Sequence, residues 1–169
     1  MSIEQKHAVL FSILDWWINF AEEHGLMYYA YSGTLLGVIR EKDIIPWDDD
    51  IDLVVEEATL DKLFKLDLPS HLIIKQGAKG ACYKIGKAGI SAYVDIFPTR
   101  SIGNRIEYAM EKARAMFPND WASKDEIFPL SKGAFNRFIL PIPNNPDACL
   151  TRMYGNWKVR KVFPPHDDE

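Results

Sequence analysis

The strongest indication of the fold is the stretch Ile44-Ile45-Pro46-Trp47-Asp48-Asp49-Asp50-Ile51-Asp52-Leu53-Val54-Val55. In this stretch a cluster of aspartates is followed by an apolar segment. Side chains alternate between the two faces of a strand, so Ile51 and Leu53 are expected to point into the core. Asp50 and Asp52 then share the opposite face, roughly 6.6 Å apart along the strand. The stretch therefore predicts a buried strand that presents two carboxylates on one face.

Two carboxylates at this spacing repel each other unless a cation lies between them. They can converge on one divalent ion, or on two ions about 3.5–4 Å apart. Mg²⁺ or Mn²⁺ is the expected cofactor, because hard cations prefer oxygen ligands. An EF-hand is excluded, since Leu53 stands where its loop needs glycine and Thr59 where it needs glutamate. The alternative is a solvated acidic loop, but the position of these aspartates at the start of a strongly apolar strand argues against it.

A third carboxylate lies inside a second apolar strand, Tyr93-Val94-Asp95-Ile96-Phe97. Asp95 is expected on the face opposite Val94 and Ile96, where a buried aspartate needs a partner or an ion. If this strand is the neighbour of the strand that bears Asp50, all three carboxylates meet at one site. The alternative is a structural aspartate whose hydrogen bonds are satisfied within the protein.

A glycine turn, Tyr31-Ser32-Gly33-Thr34-Leu35-Leu36-Gly37, precedes the acidic strand. Glycine allows the backbone to approach a ligand closely, and the start of the following helix offers free N–H groups to a phosphate. We therefore predict that Gly33 contacts a phosphate and that Thr34 adds its hydroxyl. A glycine–threonine pair is also a common way to begin a helix, so the prediction depends on the position of the turn just before the aspartates.

Basic and aromatic side chains near these motifs are candidates for contacts with a nucleotide. The cations that could neutralise phosphate charge are Arg40, Lys42, Lys84 and Lys87. Each could instead be a solvated surface charge. Trp47 and the tyrosines at 28, 29 and 31 are expected in the core, although one or two of them could pack on a base or on a quaternary ammonium.

Composition and patterning indicate one α/β domain with a mixed sheet. The chain has 169 residues, of which 47% are apolar, and a net charge of −4 with no basic block, which argues against a nucleic-acid surface. A capping box and helical spacing predict an opening helix at about 3–24. A catalytic core is expected at about 26–100, helices and a hairpin at about 104–157, and a loose tail at 158–169. Within the third region, residues 105–117 are predicted to be helical.

The chain carries no pattern of a disulfide framework or of a targeting segment. Cys82 and Cys149 lie far apart and outside any metal-binding motif, so both are expected to be reduced. The apolar part of the opening helix is interrupted by Asp15 and Glu22, which fits neither a signal peptide nor a membrane span. We expect a cytoplasmic protein without a transmembrane segment, and peripheral contact with a membrane stays open.

The motifs closely resemble the signature of the LicD family, which includes bacterial phosphocholine transferases and the animal proteins fukutin and fukutin-related protein. The resemblance lies in Ser32-Gly33-Thr34-Leu35-Leu36-Gly37-Val38-Ile39-Arg40 and in Ile45-Pro46-Trp47-Asp48-Asp49-Asp50-Ile51-Asp52. Three later segments agree with the family pattern, at 94–98, 126–135 and 143–157. The resemblance covers most of residues 26–157.

The resemblance implies a nucleotidyltransferase-like fold, with a mixed sheet flanked by helices in a single domain. It also implies metal-dependent transfer of a phospho-alcohol group from CDP-choline, or a related CDP-alcohol, to a hydroxyl of a glycan or glycolipid, with release of CMP. Asp50, Asp52 and Asp95 would be the catalytic residues and would bind Mg²⁺ or Mn²⁺. Asp48 matches a family aspartate and would be a further metal ligand. Whether Asp95 acts as a ligand or as a base stays open.

Three other functions are compatible with the motifs. A nucleotidyltransferase would move the nucleoside monophosphate itself and release pyrophosphate. A glycosyltransferase would release UDP, although the glycine turn ahead of the acidic strand argues against it. A non-catalytic binding module could keep the metal site, but the presence of all three aspartates disfavours it. The chain is short for the LicD family, so parts of an acceptor site are expected to be missing.

Overall fold

The sheet of the protein is mixed and is centred on the two aspartate strands. The structure is a computed structural model that describes residues 1–77 and 79–160. Its strands are β1 Tyr29–Ala30, β2 Asp50–Glu56, β3 Leu72–Gln76, β4 Tyr83–Lys87, β5 Tyr93–Ile102, β6 Arg105–Tyr108, β7 Ala122–Ser123, β8 Ser131–Phe135 and β9 Phe138–Ile142. In the main sheet the order is β1-β2-β5-β4-β3, and β6 and β7 extend it from the far end of β5. β8 and β9 form a separate hairpin.

The strand directions place the two aspartate strands side by side. β2 and β5 are parallel, while every other pair of neighbouring strands is antiparallel. Both strands contribute fully buried apolar side chains to the core, namely Ile51, Leu53, Val94 and Ile96. Helices pack against both of these strands. The predicted fold class, a mixed sheet with helices in one domain, is confirmed.

The helices are α1 Ile3–His24, α2 Ser32–Leu36, α3 Glu57–Phe64, α4 Glu111–Met116, α5 Lys124–Ile127 and α6 Pro146–Tyr154, and a π-helical turn, Gly37–Glu41, continues α2. α1 lies at the predicted position because Ser2 and Gln5 form a capping box at its start and Gly25 adopts a left-handed conformation at its end. Its apolar face packs on β5 and buries Leu10 and Trp17. No helix in the described part of the chain is long and apolar enough to cross a membrane.

The helix predicted over residues 105–117 is wrong in its first half. Residues 105–108 form β6, which pairs with β5 across a tight turn at Gly103, whose φ is 58°. Ile106 and Tyr108 are buried and alternate with more exposed neighbours, which is the period of a strand. The helix begins only at Glu111. The tight turn at Gly103 therefore prevails over the weak helical spacing, because it returns the chain directly onto the edge of β5.

Two further expectations concern the cysteines and the tail. Cys82 and Cys149 are buried free thiols, as predicted from their spacing. The predicted loose tail at 158–169 lies outside the described residues from position 161 onward.

Candidate active site

The register of β2 and β5 brings three carboxylates together. Asp52 lies directly opposite Asp95 in the parallel pair, and Asp50 lies opposite Tyr93. One oxygen from each of Asp50, Asp52 and Asp95 lies within 4.8 Å of the other two. Asp95 is buried, and the other two are half-buried. The structure thus places the three sequence-predicted aspartates in one cluster, which we call the carboxylate cluster.

Two members of the carboxylate cluster, Asp52 and Asp95, hold protons more tightly than ordinary carboxyl groups do. Burial raises the pKa of Asp52 well above its usual range, and the neighbouring carboxylates raise it further. Burial and the charge of Asp50 raise the pKa of Asp95 to about 7, and the ammonium of Lys84 opposes that rise. Like charges in a low-dielectric site account for both shifts. The surroundings therefore do not balance the negative charge that the cluster would carry with all three carboxyl groups ionised.

Lys84 continues the row of charged side chains across the sheet. It lies on β4 directly opposite Asp95, and its Nζ is 2.9 Å from Asp95 Oδ1. The ion pair fixes the orientation of the Asp95 carboxylate and explains why Lys84 opposes the rise in the pKa of Asp95. The sequence alone does not establish this pairing, because residues 84 and 95 meet only through the antiparallel register of β4 and β5.

The glycine turn lies against the carboxylate cluster. A Cβ atom added at Gly33 would lie 3.1 Å from Asp48 Oδ2 and 3.8 Å from Asp52 Oδ2, so glycine leaves the space that the carboxylates occupy. Thr34 is buried, and its Oγ1 accepts a hydrogen bond of 2.7 Å from the backbone N–H of Asp52. The hydroxyl of Thr34 thus binds the acidic strand, and direct contact of that hydroxyl with a phosphate stays a prediction.

The acidic loop before β2 is held by the start of α1. His7 Nε2 lies 2.6 Å from the backbone carbonyl of Asp48, and Lys6 Nζ lies 3.9 Å from Asp49 Oδ2. Asp48 therefore faces the carboxylate cluster from a loop whose backbone is fixed by a helix far away in sequence. Neither His7 nor Lys6 belongs to the motifs that predicted the site.

Arg40 lines the same cleft but is engaged by protein groups. Its Nε donates to Glu41 Oε1 at 3.3 Å, and its Nη1 donates to the carbonyl of Trp157 at 3.1 Å. The second of these hydrogen bonds connects the π-helical turn to the segment after α6. A phosphate contact by Arg40 would therefore add to, or replace, existing hydrogen bonds, and it stays a prediction.

The cleft next to the carboxylate cluster has a volume of about 1050 Å³. Its charged lining residues include the carboxylate cluster, Lys84 and Lys79. Its larger apolar and aromatic lining residues are Leu36, Trp47, Phe97, Met116, Phe117, Met153, Tyr154 and Trp157. A cleft of this size that combines apolar surface with converging charged groups is typical of a small-molecule site.

Several cleft residues carry no signal in the sequence. Lys79 and Asp120 come from loops, and Phe117 and Tyr154 follow or end short helices, so no periodic pattern marks any of them. Of the aromatic candidates, Trp47 lines the cleft, whereas Tyr29 and Tyr31 are core residues, as expected.

The carboxylate cluster fits a hard divalent cation. Its ligand atoms are all oxygens, they converge within 4.8 Å, and the raised pKa values of Asp52 and Asp95 reflect charge that a cation would balance. Gly33 keeps the space beside these oxygens open. An Asp cluster with this geometry could bind a metal ion.

A family model described as LicD/FKTN/FKRP, nucleotidyltransferase domain, matches residues 25–145 of the chain. The matched region contains the glycine turn, both aspartate strands and the β8–β9 hairpin.

Three curated proteins illustrate the similarity. An uncharacterized protein of Rickettsia prowazekii is 28% identical over 149 residues, which are 85% of this chain and 53% of that protein. An uncharacterized protein of Rickettsia typhi is 28% identical over 165 residues, which are 96% of this chain and 51% of that protein. The lipopolysaccharide cholinephosphotransferase LicD of Haemophilus influenzae is 40% identical over 53 residues, which are 31% of this chain and 20% of that protein. The chain spans about half the length of the two Rickettsia relatives.

Among solved structures, the lincomycin-bound lincosamide antibiotic adenylyltransferase LnuA is similar, with a TM-score of 0.54. The superposition covers 88% of this chain and 87% of that chain, at 13% sequence identity. At this identity the likeness concerns the fold, which is that of a nucleotidyltransferase.

Proposed function

Because the chain belongs to the LicD family of nucleotidyltransferase-like proteins, we propose that it transfers a phospho-alcohol group from a CDP-alcohol to a hydroxyl of a glycan or glycolipid, with release of CMP. The partial match to a lipopolysaccharide cholinephosphotransferase favours phosphocholine or a related group. One observation carries the proposal: Asp52, Asp95 and Lys84 form a row across three neighbouring strands, and this row lines a large cleft.

In the proposed complex, the diphosphate of the donor lies against the carboxylate cluster. Asp50, Asp52 and Asp95 would hold Mg²⁺ or Mn²⁺, and Asp48 is a further candidate ligand because its Oδ2 faces the same space beside Gly33. The bound cation would neutralise charge on the phosphoryl oxygens and on the leaving CMP.

The donor phosphates need further partners from the chain. Gly33 lets the backbone approach them, and Thr34 acts through the strand that it holds. Lys84 is the proposed cation for the phosphates, because its ammonium already lies beside the carboxylate cluster. Arg40 is a second candidate on the same cleft, although its hydrogen bonds to Glu41 and Trp157 favour a supporting role.

The acceptor hydroxyl loses its proton as its oxygen forms a bond to phosphorus and the bond to CMP breaks. Asp95 is the candidate to accept that proton, by geometry and burial. Its ion pair with Lys84 and contact with a divalent cation would both lower its basicity. We therefore propose a mixed role for Asp95 in which metal binding dominates.

Transfer of the nucleoside monophosphate itself is the second candidate function. Its support is the fold shared with an adenylyltransferase, a class of enzyme that moves a nucleoside monophosphate. The two reactions use the same carboxylates, and they differ in which phosphorus is attacked and in what leaves.

The experiment that tests the proposal measures products from a panel of donors. CDP-choline and other CDP-alcohols, CTP, ATP and UDP-sugars are incubated with the protein, Mn²⁺ and a glycan mixture. Release of CMP from a CDP-alcohol supports the proposed function, and the Asp52→Asn variant is the matched control. Pyrophosphate from CTP or ATP would instead establish nucleotidyl transfer, and UDP from a UDP-sugar would establish glycosyl transfer. Donor binding without any of these products would indicate a binding module.

A further inference from the structure

A second polar cluster, which we call the Asp120 cluster, lies beside the glycine turn. Asp120 belongs to the loop between α4 and β7 and lines the cleft. Its Oδ2 accepts hydrogen bonds from the hydroxyls of Tyr108 at 2.7 Å and of Ser32 at 3.2 Å. Its backbone carbonyl accepts a hydrogen bond of 2.9 Å from the hydroxyl of Tyr31. A single loop residue is thus bonded to three side chains of other elements.

Ser32 is the member of the Asp120 cluster with an unusual backbone. Its φ is 50°, in the left-handed region that residues with a Cβ atom rarely adopt. Such a conformation persists where surrounding contacts hold it, and it is common at functional sites. The hydrogen bond from Ser32 Oγ to Asp120 Oδ2 is a contact of this kind.

Tyr31 and Thr34, which flank the Ser32-Gly33 pair, hold the backbone of Asp52. The N–H of Tyr31 donates to the carbonyl of Asp52 at 3.3 Å, and the N–H of Asp52 donates to Thr34 Oγ1 at 2.7 Å. The N–H of Thr34 closes the turn by donating to the carbonyl of Tyr31 at 3.1 Å. A change in the conformation of Ser32 would therefore shift both contacts that fix Asp52 within β2.

We propose that Asp120 is a positioning residue for the carboxylate cluster. It holds Ser32 in the left-handed conformation, and the turn in that conformation fixes Asp52 at the distance from Asp50 and Asp95 that a divalent cation needs. The inference rests on the proposed function in one respect, the binding of a divalent cation by Asp52. Asp120 itself acts only through the turn.

The first test measures Mn²⁺ affinity by calorimetry. Loss of a group that orients a metal ligand typically weakens affinity by ~10–100-fold, and we expect this for Asp120→Ala. Asp120→Asn keeps an acceptor oxygen and should recover most of the affinity. Ile13→Val is the stability control, because Ile13 is buried in α1 and lies outside the cleft, and the substitution leaves a small cavity in the core. A destabilised Ile13→Val protein should bind Mn²⁺ like the wild type.

The second test compares two substitutions of Ser32, and it applies even if Asp120→Ala does not fold. Both Ser32→Ala and Ser32→Gly remove the hydroxyl, but only glycine adopts a positive φ without strain. We expect Ser32→Ala to weaken Mn²⁺ binding more than Ser32→Gly does. At an ordinary helical position the opposite is expected, because glycine destabilises a helix more than alanine does.

Hydrogen exchange at the amides of Thr34 and Leu35 separates this inference from the metal-binding proposal. Both amides donate to the carbonyl of Tyr31 and report on the turn without any ligand. Faster exchange in Asp120→Ala would support the role of Asp120 in holding the turn, whether or not the wild-type protein binds Mn²⁺. A wild-type protein that bound no Mn²⁺ would contradict only the proposed metal site. Wild-type exchange together with wild-type Mn²⁺ affinity in folded Asp120→Ala would overturn it, and so would a Ser32→Ala protein that binds as well as Ser32→Gly.

Discussion

The carboxylate cluster and the Asp120 cluster border the same cleft but balance their charge in different ways. In the carboxylate cluster, three carboxylates lie within 4.8 Å of one another, and Lys84 bonds to one of them. In the Asp120 cluster, one carboxylate accepts hydrogen bonds from two hydroxyls. Burial raises the pKa of Asp120 as it raises that of Asp52, but at Asp120 the hydroxyls oppose the shift, whereas at Asp52 neighbouring carboxylates add to it.

The contrast between the two clusters indicates which acidic residues are suited to bind a cation. A buried carboxylate whose hydrogen bonds come from the protein can serve as a structural support. Carboxylates that repel one another inside a protein favour a cation, because its charge removes the repulsion. The same residue type therefore has two expected roles within one cleft, and substitutions can distinguish them.

Removal of divalent cations should have the largest effect. Excess chelator should abolish transfer, because the phosphoryl charge would then face the carboxylate cluster without compensation. Mg²⁺ or Mn²⁺ added in excess of the chelator should restore the rate. The measurement is CMP release from the donor that the product assay identifies, and full turnover in excess chelator would be incompatible with the proposed chemistry.

The substitutions Asp50→Asn and Asp52→Asn should each lower activity by orders of magnitude. A neutral amide is a much poorer ligand for a hard cation than a carboxylate is. Without metal, both proteins should be at least as stable as the wild type, because the substitutions relieve like-charge repulsion. Steady-state rates and thermal unfolding check the two parts, and near wild-type rates in either variant would remove that residue from the site.

The Asp95→Asn variant should lose less activity at saturating Mn²⁺ than at low Mn²⁺, because metal binding is the proposed main role of Asp95. A purely basic role would instead lower the rate, typically by ~10²–10⁴-fold, at unchanged metal affinity. It would also remove the acidic limb of the pH–rate profile. A Mn²⁺ titration of the variant separates the two roles, and wild-type rate with wild-type affinity would leave Asp95 a structural residue.

The metal-free protein should become more stable as the pH falls through about 7. The folded pKa of Asp95 is about 7, above that of an ordinary carboxyl group, so the folded state binds this proton when the unfolded state has lost it. The contribution of this proton to the free energy of unfolding is complete below the pKa of Asp95 in the unfolded state, ~4, and is lost as the pH rises through about 7. Thermal unfolding in chelator measures it as a pH-dependent difference between the wild type and Asp95→Asn. If that difference is independent of pH, the assigned pKa shift is wrong.

Thr34→Val should have the smallest effect on activity. The substitution keeps the shape of the side chain but leaves the N–H of Asp52 without its acceptor, at a cost of about 1–3 kcal/mol in the free energy of unfolding. We expect a reduced rate because Asp52 is less well fixed. Thr99→Val should lose similar stability without loss of rate, since Thr99 bonds to Val55 away from the cleft. Equal loss of rate in the two variants would assign the effect to stability alone.

The elements whose signals are local could be predicted from the sequence. The helix at about 3–24 carries a capping box and a terminal glycine, and the β8–β9 hairpin lies within residues 104–157, where a hairpin is predicted. The alternation around Asp50, Asp52 and Asp95 identified the residues that the structure brings together. Within the predicted helix at 105–117, residues 105–108 form a strand instead, because they pair with β5 across the tight turn at Gly103 and the helical spacing does not report that hairpin.

Which side chains a strand presents to each face can be inferred from the sequence, because that alternation follows from the backbone of a single strand. Which residues meet across strands depends instead on the tertiary structure. It placed Asp95 opposite Asp52, paired Lys84 with Asp95, engaged Arg40 with the carbonyl of Trp157, and brought Asp120 to Ser32. These contacts depend on strand register and loop paths between residues distant in sequence, and such contacts leave no periodic mark along the chain.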